Sequence, residues 1–251
     1  MSLHMLSFRP DLGRLMRLAH RERLLPTGDD LGYAVHAVFT ASFGDLAPKP
    51  FVLLLPGEPG GGPAGRLLAY SARPLAELLE RAAAFADPAF SAPLMLEEAE
   101  AKTMPARFAE GMRLGFRVRL RPVVRTGKPP AGAEDQTKAR ERDVYDGPTE
   151  GESAIATRGR VYLSWLEQRL AETAGARLEQ AALQSFRQTR LLTRDRAGEV
   201  PRSRVSTGPD AVMHGTLAVT NPDAFAVGLA RGIGRHRAFG FGMLLLTPPR
   251  T

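Results

Sequence analysis

The chain has 251 residues, with 34 Lys and Arg against 27 Asp and Glu and a formal net charge of +7, and its sequence pI is near 10.3. It holds no cysteine, which excludes disulfides, thiolate nucleophiles and cysteine-held zinc or iron–sulfur centres. The arginine-rich excess favours a polyanionic partner, nucleic acid or an anionic membrane surface, and the length admits one large domain or two of about 100 to 150 residues.

The opening "LHMLSF" reads as a short strand, and "MSLHMLSF" has no charged segment feeding a long apolar run, so no signal peptide is expected. The longest apolar runs, "FVLLL" at 51–55 and "MLLL" at 243–246, fall far short of the ~20 residues of a spanning helix. A cytoplasmic protein with no membrane partner is the expectation. "RLMRLAHRERLLPTGD" places Arg14, Arg17, Arg21 and Arg23 with His20 on a short helix. "DLGYAVHAVFTASF", Asp30 to Phe43, carries Leu31, Val35, Val38 and Phe39 at helical spacing, with Asp29 or Asp30 as N-cap.

"PFVLLLP" and "RLLAYS" predict a hairpin around the glycine-rich "GEPGGGPAG". "PLAELLERAAAFA", Pro74 to Ala86, predicts a helix with proline in its first turn. The first half thus reads β-α-β-β-α and needs one more strand to close a ferredoxin-like unit.

"RLGFRVRLRPVV", Arg113 to Val124, alternates apolar and basic residues and predicts a half-buried strand with Arg117, Arg119 and Arg121 on one basic face. The polar stretch from Thr126 to Thr157 reads as a mobile loop. "RVYLSWLEQRLAETAG" predicts a helix ending at Gly175, with Arg158 and Arg160 just before it. "RLEQAALQSFRQTRLLT" and "AVMHGTLAVT" predict strands, with Arg187, Arg190, Arg194, Arg196, Arg202 and Arg204 around a hairpin tip. "NPDAFAVGLARGIG" predicts a helix with Asn221 as N-cap, Pro222 in the first turn and Gly232 near the C-cap, and "FGMLLLTP" a last strand. The expected fold is α+β: two tandem ferredoxin-like (RRM-like, βαββαβ) domains, 1–108 and 109–251, with a glycine-rich C-terminal loop.

That loop, "GIGRHRAFGFG", is not a dinucleotide fingerprint, because Gly232 and Gly234 follow a helix and lead into a strand, and Arg237 stands where a third glycine would be. The nearest approach to a P-loop, Gly60 to Gly65, continues with Arg66 and Leu67 and fails as well. Two readings remain: a C-cap and tight turn built on positive φ, or a backbone open to phosphates that Arg235, His236 and Arg237 would meet. The charge inside the loop favours the second.

Tyr33 and His36, at i and i+3, share one helix face. A histidine exchanges a proton near neutral pH, and a tyrosine hydroxyl can position a reacting oxygen. The same pair is also compatible with a partly buried aromatic pair on an amphipathic helix. His4 and His214, on strands, read as structural.

The tandem units, the Tyr-x-x-His helix ahead of "PF" and a strand, and "GTLAVTNPDAFAVGLARGIGRHRAFGFGMLLL" together resemble the CRISPR-associated repeat-RNA endoribonucleases, closest to the CasE type of type I-E systems. The resemblance implies catalytic roles for Tyr33 and His36 and an RNA-side wall at Gly232, Gly234, Gly240 and Gly242. It also implies metal-independent cutting on the 3′ side of the repeat stem-loop, with no cofactor, and a basic hairpin entering the groove of the stem. The partners implied are CRISPR repeat RNA and other effector-complex subunits. The residues after His36, "AVFTASFGD", lack the family's usual Trp and Pro, and the insert before Tyr33 makes His20 an alternative catalytic residue. A divergent type IV relative, or a non-catalytic RNA-binding subunit, stays open beside the type I-E reading.

Overall fold

The computed structural model describes residues 2–25, 30–125, 141–148, 152–195 and 202–249, with the side chains of 152–154, 194–195 and 202–204 set aside. Strand β1 (His4–Phe8) is followed by α1 (Leu12–Arg21), α2 (Gly32–Phe43), β2 (Phe51–Leu54), β3 (Arg66–Ser71), α3 (Leu75–Phe85), α4 (Pro88–Ser91) and β4 (Glu100–Thr103). The strands form one antiparallel sheet in the order β2-β3-β1-β4. The strand that the first half needed is β4: four exposed residues, "EAKT", paired to β1 at the sheet edge. It has no apolar alternation for a pattern to reveal.

The second unit runs β5 (Arg113–Leu120), β6 (Val123–Arg125), β7 (Glu141–Asp143), α5 (Glu152–Ala174), β8 (Ala176–Asp195), β9 (Arg202–Val219), α6 (Pro222–Arg231) and β10 (Leu245–Thr247). Its sheet has the order β10-β5-β9-β8, while β6 and β7 form a separate ribbon. Both sheets therefore have the ferredoxin-like strand order, as expected for an α+β chain of two such units. The proposed division at 108/109 falls in the connection between β4 and β5.

Several local expectations need correction. The stretch 126–157 is not one loop: β7 and the start of α5 lie within it, so Arg158 and Arg160 are inside the helix rather than ahead of it. Arg23 lies beyond the end of α1, with φ +53. The last strand is only three residues, because Phe241, Met243 and Leu244 bury themselves in extended chain before it. Strands β8 and β9, at 20 and 18 residues, are longer than the pattern suggests, and single-residue bulges at Glu179 and Gln184 interrupt β8.

Strand β3 explains how the units join. Its residues 67–71 are all buried, because alternate side chains serve two cores. Leu67 and Ala69 pack with Phe8, Val38 and Phe39 under the first unit's helices, whereas Leu68 and Tyr70 pack with Leu120, Ile233 and Leu244 of the second. The buried Tyr70 hydroxyl donates to the Leu244 carbonyl at 2.9 Å, so its polar tip is satisfied as burial requires. In the second unit, Tyr162, Leu166 and Leu170 of α5 and Phe225 and Leu229 of α6 supply the buried helical stripe. Among the described residues no helix is long and apolar enough to cross a membrane.

Candidate active site

Helix α2 buries Ala34, Val35, Val38 and Phe39 in the first unit's core. Tyr33 is nearly buried and His36 half-buried. Their rings lie 5.8 Å apart, and Phe239 of the glycine-rich loop completes the group, stacked on Tyr33 at 6.0 Å and edge-on to His36 at 5.0 Å. Phe239 was not singled out from the sequence. Its only signal was an aromatic between glycines.

The α2 cap differs from expectation: Leu31 occupies the cap position without a side-chain bond, and Asp29 lies outside the described residues. Asp30 still serves the helix, because its Oδ1 accepts from Gly32 N at 2.7 Å. Its Oδ2 accepts from Arg119 Nη2 at 2.6 Å.

The loop begins where Gly232 ends α6 and is closed by two backbone bonds: Ile233 N donates to Gly242 O, and Gly242 N donates to Arg119 O at 2.7 Å. Gly232, Gly234, Gly240 and Gly242 all have positive φ. The need is sharpest at Gly242, where φ is +80 and a Cβ would overlap the Ile233 carbonyl oxygen. The glycines thus supply a tight turn, and cations are carried on it.

Two of the side chains on that turn already have a carboxylate. Glu141 of β7 accepts from Arg235 Nε and lies 2.6 Å from His236 Nε2. Burial pushes the Glu141 carboxyl up, but hydrogen bonds and charge from His236 and Arg235 win and bring it down to about 2. Glu141 fell in the stretch expected to be loop, so no sequence signal paired it with residues some 95 positions away. Arg237 donates to the Arg231 carbonyl at 2.9 Å. Burial and the neighbouring Arg231 and Arg235 charges depress its pKa. With Lys49, these arginines line a basic cleft beside Phe239.

The expected basic face of β5 is not exposed. Arg119 donates Nε and Nη2 to the two oxygens of Asp210 at 2.8 Å each, and its guanidinium lies 4.4 Å from the Phe241 ring centroid. Desolvation opposes its charge, but Asp210 and Asp30 outweigh it and raise its pKa. Arg121 is 2% exposed and bonds the Ser206 carbonyl at 2.8 Å. Arg117 pairs loosely with Glu58 at 3.6 Å. The alternation that suggested a charged surface instead marks a face covered by the other unit and by β8–β9, where arginines are retained because carboxylates and carbonyls meet them.

Arg158 is likewise buried, bonded to Asp143 and the Tyr162 hydroxyl at 2.9 Å each and stacked between Tyr145 and Phe186 at 4.1 Å. Arg160 is exposed, with a bond to Thr157. On α1, Arg14, Arg17, His20 and Arg21 are exposed, while Leu15, Leu18 and Ala19 face the core. Arg14 pairs with Asp11 and Arg21 with Glu22. Arg187, 63% exposed, reaches Asp210 at 2.9 Å from β8, and Arg190 follows on the same strand. The side chains of Arg194, Arg202 and Arg204, and all of Arg196, lie outside the described residues. Among the described residues no three His, Asp or Glu side chains converge as metal ligands.

This is a tandem ferredoxin-like protein with an aromatic-histidine helix seated on a glycine-rich loop. The sequence matches the CRISPR-associated protein family over residues 14–248, and the chain belongs to that family. Among curated proteins none matches it. Its fold is similar to a structure of CRISPR endoribonuclease Cse3 bound to 19-nucleotide RNA, at 19% identity and TM-score 0.58, covering 99% of this chain and 100% of the other. It is similar also to Thermus thermophilus Cse3 bound to RNA representing a pre-cleavage complex, at 18% identity and TM-score 0.56 with the same coverage. A chain of a CRISPR RNA-guided surveillance complex in a pre-nicking state is similar at 17% identity and TM-score 0.51, covering 98% of this chain and 99% of that one.

Proposed function

We propose that this protein is an endoribonuclease that cleaves precursor CRISPR RNA at the repeat stem-loop without a metal ion and stays bound to the mature RNA in an effector complex. The observation that carries the reading is the placement of Tyr33 and His36 on one turn of α2 against Phe239 and the glycine-rich loop. Family membership supports it, as do the similar Cse3 structures, which are of an endoribonuclease with RNA bound. Similarity to a chain of an RNA-guided surveillance complex supports the effector-complex role.

The chemistry uses the RNA's own ribose. The 2′ oxygen attacks the adjacent phosphorus as its proton leaves, the bond from phosphorus to the 5′ oxygen breaks, and that oxygen gains a proton. The products are a 2′,3′-cyclic phosphate and a free 5′-hydroxyl. His36 handles one of the two protons, and the Tyr33 hydroxyl orients the 2′-OH or the scissile phosphate. A cation supplied near the scissile phosphate stabilises the charge that accumulates there.

The stem lies, in this reading, against the exposed arginines: Arg187 and Arg190 on the hairpin, Arg14, Arg17, Arg21 and Arg23 around α1, and Arg160 on α5. Arg235 and Arg237 meet the strand near the cut. Such contacts recognise shape and backbone rather than base identity.

The test is cleavage of a repeat hairpin in chelator by wild type and His36→Ala, alongside a substrate with 2′-deoxy at the cut. The expected result is cutting by wild type only, a loss of about 100-fold or more in His36→Ala, and no cutting of the deoxy substrate. Cutting at the wild-type rate by His36→Ala would reject the assignment, with His20→Ala examined next. Tight binding without cutting by wild type would establish the RNA-binding subunit instead.

A further inference from the structure

A continuous line of hydrogen bonds runs from the first turn of α2 to the surface of the long hairpin. Gly32 N donates to Asp30 Oδ1 at 2.7 Å, and Asp30 Oδ2 accepts from Arg119 Nη2 at 2.6 Å. Arg119 grips Asp210 through both carboxylate oxygens, and Asp210 Oδ2 accepts from Arg187 Nε at 2.9 Å. The Asp30 and Asp210 side chains are each 3% exposed, Arg119 15% and Arg187 63%. The same Arg119 fixes the glycine-rich loop twice, by its carbonyl to Gly242 N and by its guanidinium over Phe241.

We propose that Arg119 is a positioning residue for the Tyr33–His36 site: through Asp30 and Asp210 it holds the first turn of α2 in register with the glycine-rich loop and with the β8–β9 hairpin. The proposal rests on the reading of Tyr33 and His36 as the cutting residues. A buried ionic cluster is a poor source of stability, because desolvation consumes most of its attraction and apolar residues of equal volume would do as well. What it supplies is direction. A guanidinium fork accepts carboxylates only in its plane and at fixed separations.

The elements so fixed are the three that the chemistry needs together. Tyr33 is one residue beyond the bonded Gly32, Phe239 is three before Gly242, and Arg187 stands on the strand proposed to carry the RNA stem. Misplacement of reacting groups by about 1 Å can cost about 100-fold in rate, so a joint of this kind acts on rate while leaving the RNA-binding surface in place. Arg187 gives the joint an outer end. An RNA phosphate drawn to Arg187 pulls on Asp210, and through Arg119 on the helix that carries His36.

The experiment uses the full chain, with Asp30→Asn, which keeps an acceptor for Gly32 N but removes the charge facing Arg119, and Arg119→Lys, which keeps the charge but not the fork. A triple variant, Asp30→Asn, Arg119→Gln and Asp210→Asn, removes the Arg119 cluster's charges together, with Glu141 still facing the buried Arg121, and guards against a simple folding failure. Amide hydrogen exchange over residues 31–37, single-turnover cleavage of the repeat hairpin and affinity for the 2′-deoxy hairpin are measured for each.

The expected result is exchange faster by about tenfold in that turn and cleavage slower by about 100-fold, with affinity within about threefold of wild type. Wild-type exchange and wild-type cleavage in the variants would overturn the proposal. So would a loss of affinity as large as the loss of rate, which would make Arg119 part of the RNA surface. If wild type leaves the hairpin uncut, the cleavage reading fails on its own account, and the exchange data alone decide whether Arg119 holds the helix.

Discussion

Gly32 lies so close to Phe239 that a Cβ at position 32 would overlap the Phe239 carbonyl oxygen. The first turn of the histidine helix and the aromatic of the loop are therefore in backbone contact, one residue away from Tyr33. Gly32→Ala forces the two apart, and overpacking of this kind costs about 1 to 3 kcal/mol. Urea denaturation of this variant should show that loss, together with slowed RNA cleavage. An unchanged midpoint would mean that the loop yields without cost.

Tyr33→Phe separates the ring from its hydroxyl. The ring stacks on Phe239 at 6.0 Å and is almost wholly buried, so the variant, which keeps the ring, should keep the fold. If the hydroxyl orients the reacting groups, single-turnover cleavage falls by about 10- to 100-fold. Equal rates for the two proteins would reduce Tyr33 to a packing residue.

Acid should loosen the glycine-rich loop through Glu141. The carboxyl sits at about 2 in the folded protein against 4.5 ordinarily, so the unfolded chain binds the proton more readily. The stabilisation is fully present above pH about 4.5 and is lost as pH falls toward about 2. Glu141→Gln removes the titrating group, so its urea midpoint should fall less steeply over that window than the wild type's. Parallel curves for the two proteins would contradict the pairing with Arg235 and His236.

Arg158 and Arg187 should respond oppositely to removal. Arg158, with 5% of its side chain exposed, neutralises Asp143, and Arg158→Ala leaves that carboxylate unpaired at a cost of about 3 to 5 kcal/mol. The salt dependence of RNA binding should not change. Arg187→Ala leaves Asp210 still held through both oxygens by Arg119, so it should cost less stability than Arg158→Ala, and it should lower the slope of log affinity against log salt by about one. The two slopes, measured by titration across salt concentrations, distinguish an internal guanidinium from one that meets phosphate.

The sequence displayed the architecture well because the two units repeat one order of elements, and because caps such as Asn221 with Pro222 mark helix starts that the structure keeps. It displayed β4 poorly, since an edge strand of exposed polar residues carries no burial signal. The arginines of β5 misled for a physical reason. Alternation shows which side chains share a face, not whether that face meets water or a carboxylate from a distant segment, and Asp30 and Asp210 lie 89 and 91 positions from Arg119. That Tyr33 and His36 share a helix face was legible from their spacing. Phe239 beside them, and the ties of Asp30 to Arg119 and of Glu141 to Arg235 and His236, became apparent only when the chain was folded.

The two bulges of β8 set the register of everything beyond them. Each unpaired residue exchanges the two faces of the strand, and the arm after Ser185 has passed through both Glu179 and Gln184. The two exchanges cancel in face but add in register, so Arg187 stands across from Asp210 rather than from Gly208, the partner an unbulged strand would give it. The outer arm of β8 therefore keeps the face pattern of its base, and a single-residue deletion at either bulge would turn over the faces of that arm against β9 rather than act as a local defect.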